Sequence, residues 1–146
     1  MLLAAGGVFL ADRLSKFLVV EVMDLGHLLR IEVLPPFLTF VMAWNRGINF
    51  GIGAGPAWLL VAVALAISAG LVWWVRHRAG TPGVLPMAWG AGIVIGGALG
   101  NAWDRVQYGA VADFLNMSCC GIDNPYAFNI ADVAIFAGAG LIALKA

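Results

Sequence analysis

Long apolar stretches divided by short polar interruptions dominate the chain. Residues 57–75 run for 19 positions with Ser68 as the only polar side chain, the length a helix needs to cross ~30 Å of hydrocarbon. Residues 84–103 form a second such run, polar only at Asn101. A third, 127–144, is interrupted by Asn129 and Asp132 near its start. The N-terminal run 1–11 is too short alone, but extended through Asp12 and Lys16 to residue 22 it reaches spanning length. It has no basic flank before it and ends in Asp12-Arg13 instead of a small-residue cleavage site, so it reads as a span and not a cleaved leader. The pattern thus predicts an all-α membrane protein with four transmembrane helices, at about 1–22, 57–75, 84–103 and 127–144, in one polytopic domain over 1–146.

Between the first two spans, residues 24–56 change period. Ile31 and Val33 alternate with Arg30 and Glu32, Pro35-Pro36 breaks the run, and residues 37–44 are rich in aromatic and branched side chains. This predicts a small sheet outside the membrane core. Residues 76–83, short and basic, read as a turn. Inside the spans, Gly92, Gly96 and Gly100 recur every fourth residue, as do Ala62, Ala66 and Gly70, a spacing that lets helix backbones approach closely in lipid.

Four spans place the loop after the first and the loop after the third on one side of the membrane. Asp12, Asn45, Asn101, Asp104, Arg105, Asp113, Asn129 and Asp132 all lie in or beside those loops, so the polar chemistry converges on one face. Arg76, Arg78 and Lys145 mark the opposite side as cytoplasmic, termini included, although Arg30, Arg46 and Arg105 weaken that bias.

Composition agrees with a bilayer as solvent: 62% of residues are hydrophobic and only 11% charged, too few to cover a soluble domain. The net charge of zero gives no sign of a nucleic-acid partner. Cys119 and Cys120 are adjacent, which argues against a disulfide framework. Ser15, Ser68 and Ser118 lie in no Gly-x-Ser-x-Gly turn, and His27 and His77 fall on opposite sides, which disfavours Ser–His or Cys–His catalysis. No His-Glu-x-x-His, Cys-x-x-Cys or glycine-rich phosphate loop is present, so no metal or cofactor is expected.

Carboxylates remain. Asp132 lies about a turn and a half into an apolar helix, where an ionised group is costly and usually functional. An ion pair with Arg105 or Lys16 explains it equally well. Asp113, in the apolar segment Val111-Ala112-Asp113-Phe114-Leu115, reads alone as a cap or turn residue. Brought together in low dielectric, the two cannot both ionise easily, so one would act as acid and the other as base. Asp104 reads as an anchor or ion-pair partner. Arg105 reads as a group for a substrate carbonyl or a balance to the acids.

The chain resembles the lipoprotein signal peptidases (signal peptidase II) in five ordered segments: Asp12-Arg13-Leu14-Ser15-Lys16; Asn45-Arg46-Gly47-Ile48-Asn49-Phe50; residues 96–105, which include Gly100-Asn101-Ala102-Trp103-Asp104-Arg105; Val111-Ala112-Asp113-Phe114; and Phe128-Asn129-Ile130-Ala131-Asp132. The resemblance implies four transmembrane helices with a small extracytoplasmic β-sheet cradle in the bacterial inner membrane. It implies a metal-free dyad of Asp113 and Asp132, with Asn45, Gly47, Asn101, Arg105 and Asn129 binding or supporting the substrate and Asp12, Lys16 and Asp104 in supporting places. The implied substrate is a prolipoprotein with a diacylglyceryl cysteine, cut on that cysteine's N-terminal side. Membrane lipids and a globomycin-type inhibitor are the other implied partners. Only eleven residues precede Asp12, fewer than the family's first helix suggests, and Asn49 stands where many relatives carry a smaller residue. The rival class is a small transporter or proton-relay subunit, but that would spread carboxylates through the membrane depth. A non-catalytic adaptor would leave the paired acids without a reason.

Overall fold

The computed structural model describes residues 1–47 and 55–145; Ile48, Asn49 and Phe50 of the second motif lie outside the described residues. Helix α1 (Leu2–Lys16) continues through a π-helical turn (Phe17–Val22), so the first apolar run is helical to residue 22. Asp24, in the left-handed region at φ 60°, ends it, and a short helix α2 (Leu25–Leu28) follows. Strands β1 (Arg30–Leu34) and β2 (Leu38–Asn45) lead to helices α3 (Ala57–His77) and α4 (Val84–Tyr108), then strand β3 (Val111–Met117) and helix α5 (Ile130–Lys145). The protein is therefore mostly helical with one small sheet. Among the described residues two helices, α3 and α4, are long and apolar enough to cross a membrane. Helices α1 and α5 have 15 and 16 residues, or roughly 23 Å each at ~1.5 Å rise per residue, before the π-helical extension of α1 is counted.

Helix α4 is the hub, with α1, α3 and α5 packed around it. Its small residues make this possible. Gly92 and Gly96 lie against the backbone of α1, at Met1 and Ala5, and a Cβ at Gly96 would sit 2.5 Å from the Ala5 oxygen. On another face Gly90 and Gly138 of α5 meet backbone to backbone, a Cβ on Gly138 falling 2.6 Å from the Gly90 oxygen. The second small-residue series does not behave this way. Ala62, Ala66 and Gly70 are exposed, and a Cβ at Gly70 would meet nothing. The more covered face of α3 runs instead through Ala57, Leu60, Ala64, Ser68 and Val75, the helical repeat of a single stripe. Ser68 loses its polarity to the Ala64 carbonyl at 2.8 Å. The remaining surface of α3 carries exposed Trp58, Leu59, Leu65, Ile67 and Trp73, which suits contact with lipid and not water.

The sheet has one strand more than the sequence pattern indicates. Its order is β1-β2-β3, antiparallel throughout, with β3 supplied from beyond α4. Gly109, in the left-handed conformation at φ 72°, ends α4 and turns the chain back into β3. Asp113 is thus a strand residue opposite Ala43, and not the cap or turn residue its local sequence suggests. In β1 the Ile31/Val33 alternation is only half expressed, since Ile31 packs on the cluster of Val19, Leu25 and Phe114 while Val33 is exposed. The Phe40 and Phe114 rings meet edge-on in the same cluster, 5.7 Å apart. Residues 127–129 are not helical. Phe128 is drawn into β-type pairing with β3, its carbonyl accepting from Phe114 N and Leu115 N and its N–H donating to the Leu115 carbonyl. Helix α5 consequently starts at Ile130 instead of residue 127.

The backbone contact between α4 and α5 makes a paired prediction. Gly138→Ala is expected to destabilise the protein by about 1–3 kcal/mol through overpacking. Gly140→Ala, with open space around the new methyl, should be neutral or slightly stabilising. Thermal unfolding of the two variants in one detergent checks this, and equal melting temperatures would contradict the packing described.

Candidate active site

The end of α4, the start of α5 and the β3 strand meet beneath the sheet. Asn129 organises this junction. Its backbone lies just before α5, and its side-chain oxygen accepts the N–H of Asp132 at 2.9 Å. Asp132 answers by accepting the Asn129 N–H at Oδ2, 3.3 Å away. This reciprocal pair is a capping box, which satisfies two otherwise unpartnered donors of the first helical turn. Asp132 therefore stands in the first turn of α5, not a turn and a half deep, and gains from the positive end of the helix dipole.

The same Asn129 reaches the other carboxylate. Its Nδ2 donates to Asp113 Oδ1 at 2.7 Å and to Asn101 Oδ1 at 3.1 Å. Asn101, on α4, donates to Asp132 Oδ1 at 2.9 Å. Asn45, at the end of β2, accepts the Gly47 N–H on Oδ1 at 2.9 Å, while its side chain also hydrogen-bonds Asp113. Asp113, Asp132, Asn101 and Asn129 are all buried, and Asn129 has no exposed surface. Two carboxylates thus share one set of amide partners. Burial first, and the neighbouring Asp132 charge second, push the Asp113 carboxyl up to about 7, against the opposing pull of Asn45, Lys16 and Asn129.

Neither ion pair considered for Asp132 forms among the described residues. Arg105 turns its guanidinium to backbone carbonyls, Gly47 at 2.7 Å and Asn101 at 3.4 Å, and its Nε has no partner among the described residues. It braces the loop after β2 and makes no direct ion pair among them, while its charge still lies within electrostatic range of Asp113, Asp132 and Asp104. Lys16 Nζ sits 2.9 Å from Asp12 Oδ2 and 2.7 Å from Asp104 Oδ2, with Asn101 Oδ1 at 3.5 Å. Asp104 is an ion-pair partner, as its position suggests, and accepts the Ala112 N–H as well. Asp12 is fully buried, accepts the Ala131 N–H at 3.2 Å, and touches the space a Cβ on Gly100 would need.

Arg13 is the participant that the sequence reading left without a role. It donates to Asp12 at 2.8 Å and to Asp104 at 2.6 Å. A usable signal was present, because a charge inside an apolar run needs a partner and Arg13 adjoins an aspartate. A cavity of about 630 Å³ borders this charge cluster, with Arg13, Phe17, Trp44, Trp103, Asp104 and Tyr108 among its walls. It lies beside the cluster and does not contain Asp113 or Asp132. Among the described residues no three His, Cys, Asp or Glu side chains group as metal ligands. Cys119 and Cys120 are exposed free thiols away from the junction.

Two buried carboxylates joined through asparagine side chains thus lie at one end of a bundle that carries apolar helices of membrane-crossing length. Residues 4–146 match the family model described as signal peptidase (SPase) II. A lipoprotein signal peptidase of Methylorubrum extorquens is 50% identical over 114 residues, 75% of this chain and 64% of that protein. One from Alteromonas mediterranea is 38% identical over 138 residues, 92% of this chain and 72% of its own length. A solved bacterial membrane enzyme superposes with a TM-score of 0.82 at 32% identity, covering 97% of this chain and 84% of the other. The chain belongs to the signal peptidase II family. Its alignment spans only 64% of the length of both the Methylorubrum relative and that of Methylobacterium radiotolerans.

The raised Asp113 value has a stability consequence. The folded protein holds this proton more tightly than the unfolded chain, whose carboxyl titrates near 3.8. Stability from this group is therefore greatest below 3.8, declines as pH rises to about 7, and is level above that. Asp113→Asn removes the effect. Its melting temperature relative to the unsubstituted protein should climb through that interval and then flatten, and a pH-independent difference would refute the assignment.

Proposed function

We propose that this chain is an aspartyl endopeptidase of the membrane that removes the signal peptide from diacylglyceryl-modified prolipoproteins. It would cut on the N-terminal side of the lipidated cysteine and use no metal. The observation that carries this reading is the pair of buried carboxylates, Asp113 and Asp132, held by one asparagine. Family membership supplies the substrate class.

In the proposed reaction the pair shares one proton. The ionised carboxylate takes a proton from water, and the oxygen attacks the carbonyl carbon of the scissile peptide. The protonated carboxyl gives its proton to the carbonyl oxygen as the tetrahedral intermediate forms. Collapse restores the carbonyl and breaks the C–N bond, and the leaving nitrogen takes up a proton. The products are a signal peptide with a new carboxyl terminus and a lipidated cysteine with a free amine. Asn45, Gly47, Asn101, Arg105 and Asn129 would hold substrate and carboxylates in register, and a displacement of ~1 Å costs such a site much of its rate. A globomycin-type inhibitor would occupy the same site.

The reading includes an arrangement in the membrane. Four spans would put the sheet and the dyad at the extracytoplasmic face of the bacterial inner membrane, with both termini cytoplasmic. Clustering of Asp12, Asp104, Asp113 and Asp132 at one end supports this over a proton relay, which needs acids spread through the depth.

Cleavage of a diacylglyceryl-modified prolipoprotein by the purified protein tests the chemistry. Asp113→Asn and Asp132→Asn should each bind precursor and fail to cut it, and the double variant should be no worse than either. Activity should persist in excess EDTA. Robust cleavage by either single variant, or loss in EDTA that zinc restores, would end the aspartyl mechanism.

Labelling of single cysteines, introduced one at a time after both native ones are replaced, tests the topology. Positions in residues 24–47 and 118–126 should react from outside the cell, and positions in residues 77–82 only after permeabilisation. Reaction of the two long loops from opposite sides would overturn the four-span arrangement.

A further inference from the structure

The residue before each proposed catalytic carboxylate is an alanine, Ala112 before Asp113 and Ala131 before Asp132. Each alanine N–H is held by a carboxylate from another element. Ala112 donates to Asp104 Oδ2 at 3.1 Å, and Ala131 to Asp12 Oδ1 at 3.2 Å. Asp104 belongs to α4 and Asp12 to α1, so neither hydrogen bond by itself relates one active-site aspartate to the other. Asn129 links the two aspartates directly, and cations add a second link through Asp12 and Asp104. Arg13 Nη2 contacts both Asp12 Oδ2, at 2.8 Å, and Asp104 Oδ1, at 2.6 Å. Lys16 Nζ joins the other Asp104 oxygen to the same Asp12 oxygen, at 2.7 and 2.9 Å.

We infer that Arg13 is a positioning residue that sets the separation of Asp113 and Asp132 by bridging the two carboxylates that hold the preceding amides. The inference rests on the aspartyl reading above. A continuous path runs from β3 to α5: Asp113, the Ala112 amide, Asp104, Arg13, Asp12, the Ala131 amide, Asp132. Arg13 touches neither Asp113 nor Asp132, so its influence passes through backbone placement alone. The two cations also differ in setting. Both line the cavity of about 630 Å³, but Lys16 is buried and reaches Asn101 of the active-site network directly, whereas the Arg13 side chain is 21% exposed. Removing Arg13 leaves Lys16 on both acids and opens one oxygen, Asp104 Oδ1, to water from the cavity. The variant is therefore expected to fold with a looser bridge, while removal of Lys16 strips the buried core of the cluster.

The test compares Arg13→Gln and Arg13→Lys with the unsubstituted chain and Asp132→Asn, using a diacylglyceryl-modified prolipoprotein in lipid. Arg13→Gln should lower kcat by about 10- to 100-fold, the range that small displacements of catalytic groups produce, with KM changed less than about twofold. Arg13→Lys keeps the charge but replaces the planar fork with a point charge, so its kcat should be intermediate, about 3- to 10-fold down. A purely stabilising role predicts otherwise: rate lost only in proportion to the unfolded fraction, at constant kcat per folded molecule. Wild-type kcat per folded Arg13→Gln molecule overturns the inference. If Arg13→Gln does not fold, Arg13→Lys decides it alone, a wild-type kcat again overturning it. Asp132→Asn separates the two readings. Cleavage by that variant defeats the aspartyl mechanism itself, while its inactivity beside fully active Arg13 variants defeats only the bridge.

Discussion

Charge taken out of water must find opposite charge, and the Asp12–Arg13–Lys16–Asp104 cluster is where this protein meets that demand. Two carboxylates and two cations, close to neutral in sum, sit between α1, α4, α5 and β3. Buried ion pairs add little net stability, because desolvation offsets much of their attraction. Loss of one partner, by contrast, strands a buried charge. The cluster therefore acts mainly on specificity. Arrangements in which α1 slides along α4 or turns about its axis would break both contacts to Asp104 together.

The rest of the junction follows from that anchor. Asp12 can lie against α4 only because Gly100 has no side chain there. Once placed, Asp12 accepts the Ala131 N–H and locates the first turn of α5. Asn129 and Asp132 then close the capping box. From the opposite direction Asp104 accepts the Ala112 N–H, which draws β3 onto the end of α4 and Asp113 toward Asn129. Backbone donors at a helix start and a strand start, each needing an acceptor in a dry interior, thus become the means by which two carboxylates are brought to one place.

The two carboxylates are distinguished by what surrounds them. Asp132 has a helix start, its own capping partner and Asn101. Asp113 stands on a strand and is driven up to about 7 chiefly by burial and by Asp132 beside it. In the proposed reaction this difference in surroundings would let one carboxylate hold a proton while the other stays ionised.

Much of this protein was legible in its sequence because membrane burial writes long, coarse signals. Apolar runs located all four long helices to within a few residues, since a helix must satisfy its backbone wherever water is absent. The polar residues that meet at the junction were identifiable for the same reason: Asp12, Asn45, Asn101, Asp104, Asp113, Asn129 and Asp132 are costly in such surroundings, and their order in the chain matched one family. What sequence could not decide were relations between distant segments. The third strand depends on β3 finding β2 some 70 residues away, and the start of α5 depends on Phe128 pairing with β3. The idle face of α3, with its equally spaced small residues, shows that spacing permits close approach without choosing which helix will come. Arg13 gained its place only when Asp104, 91 positions away, came within 2.6 Å. Local pattern is set by the solvent each residue must face, whereas partners are set by which surfaces can satisfy their charges and backbone donors at once, and only the folded chain brings those surfaces together.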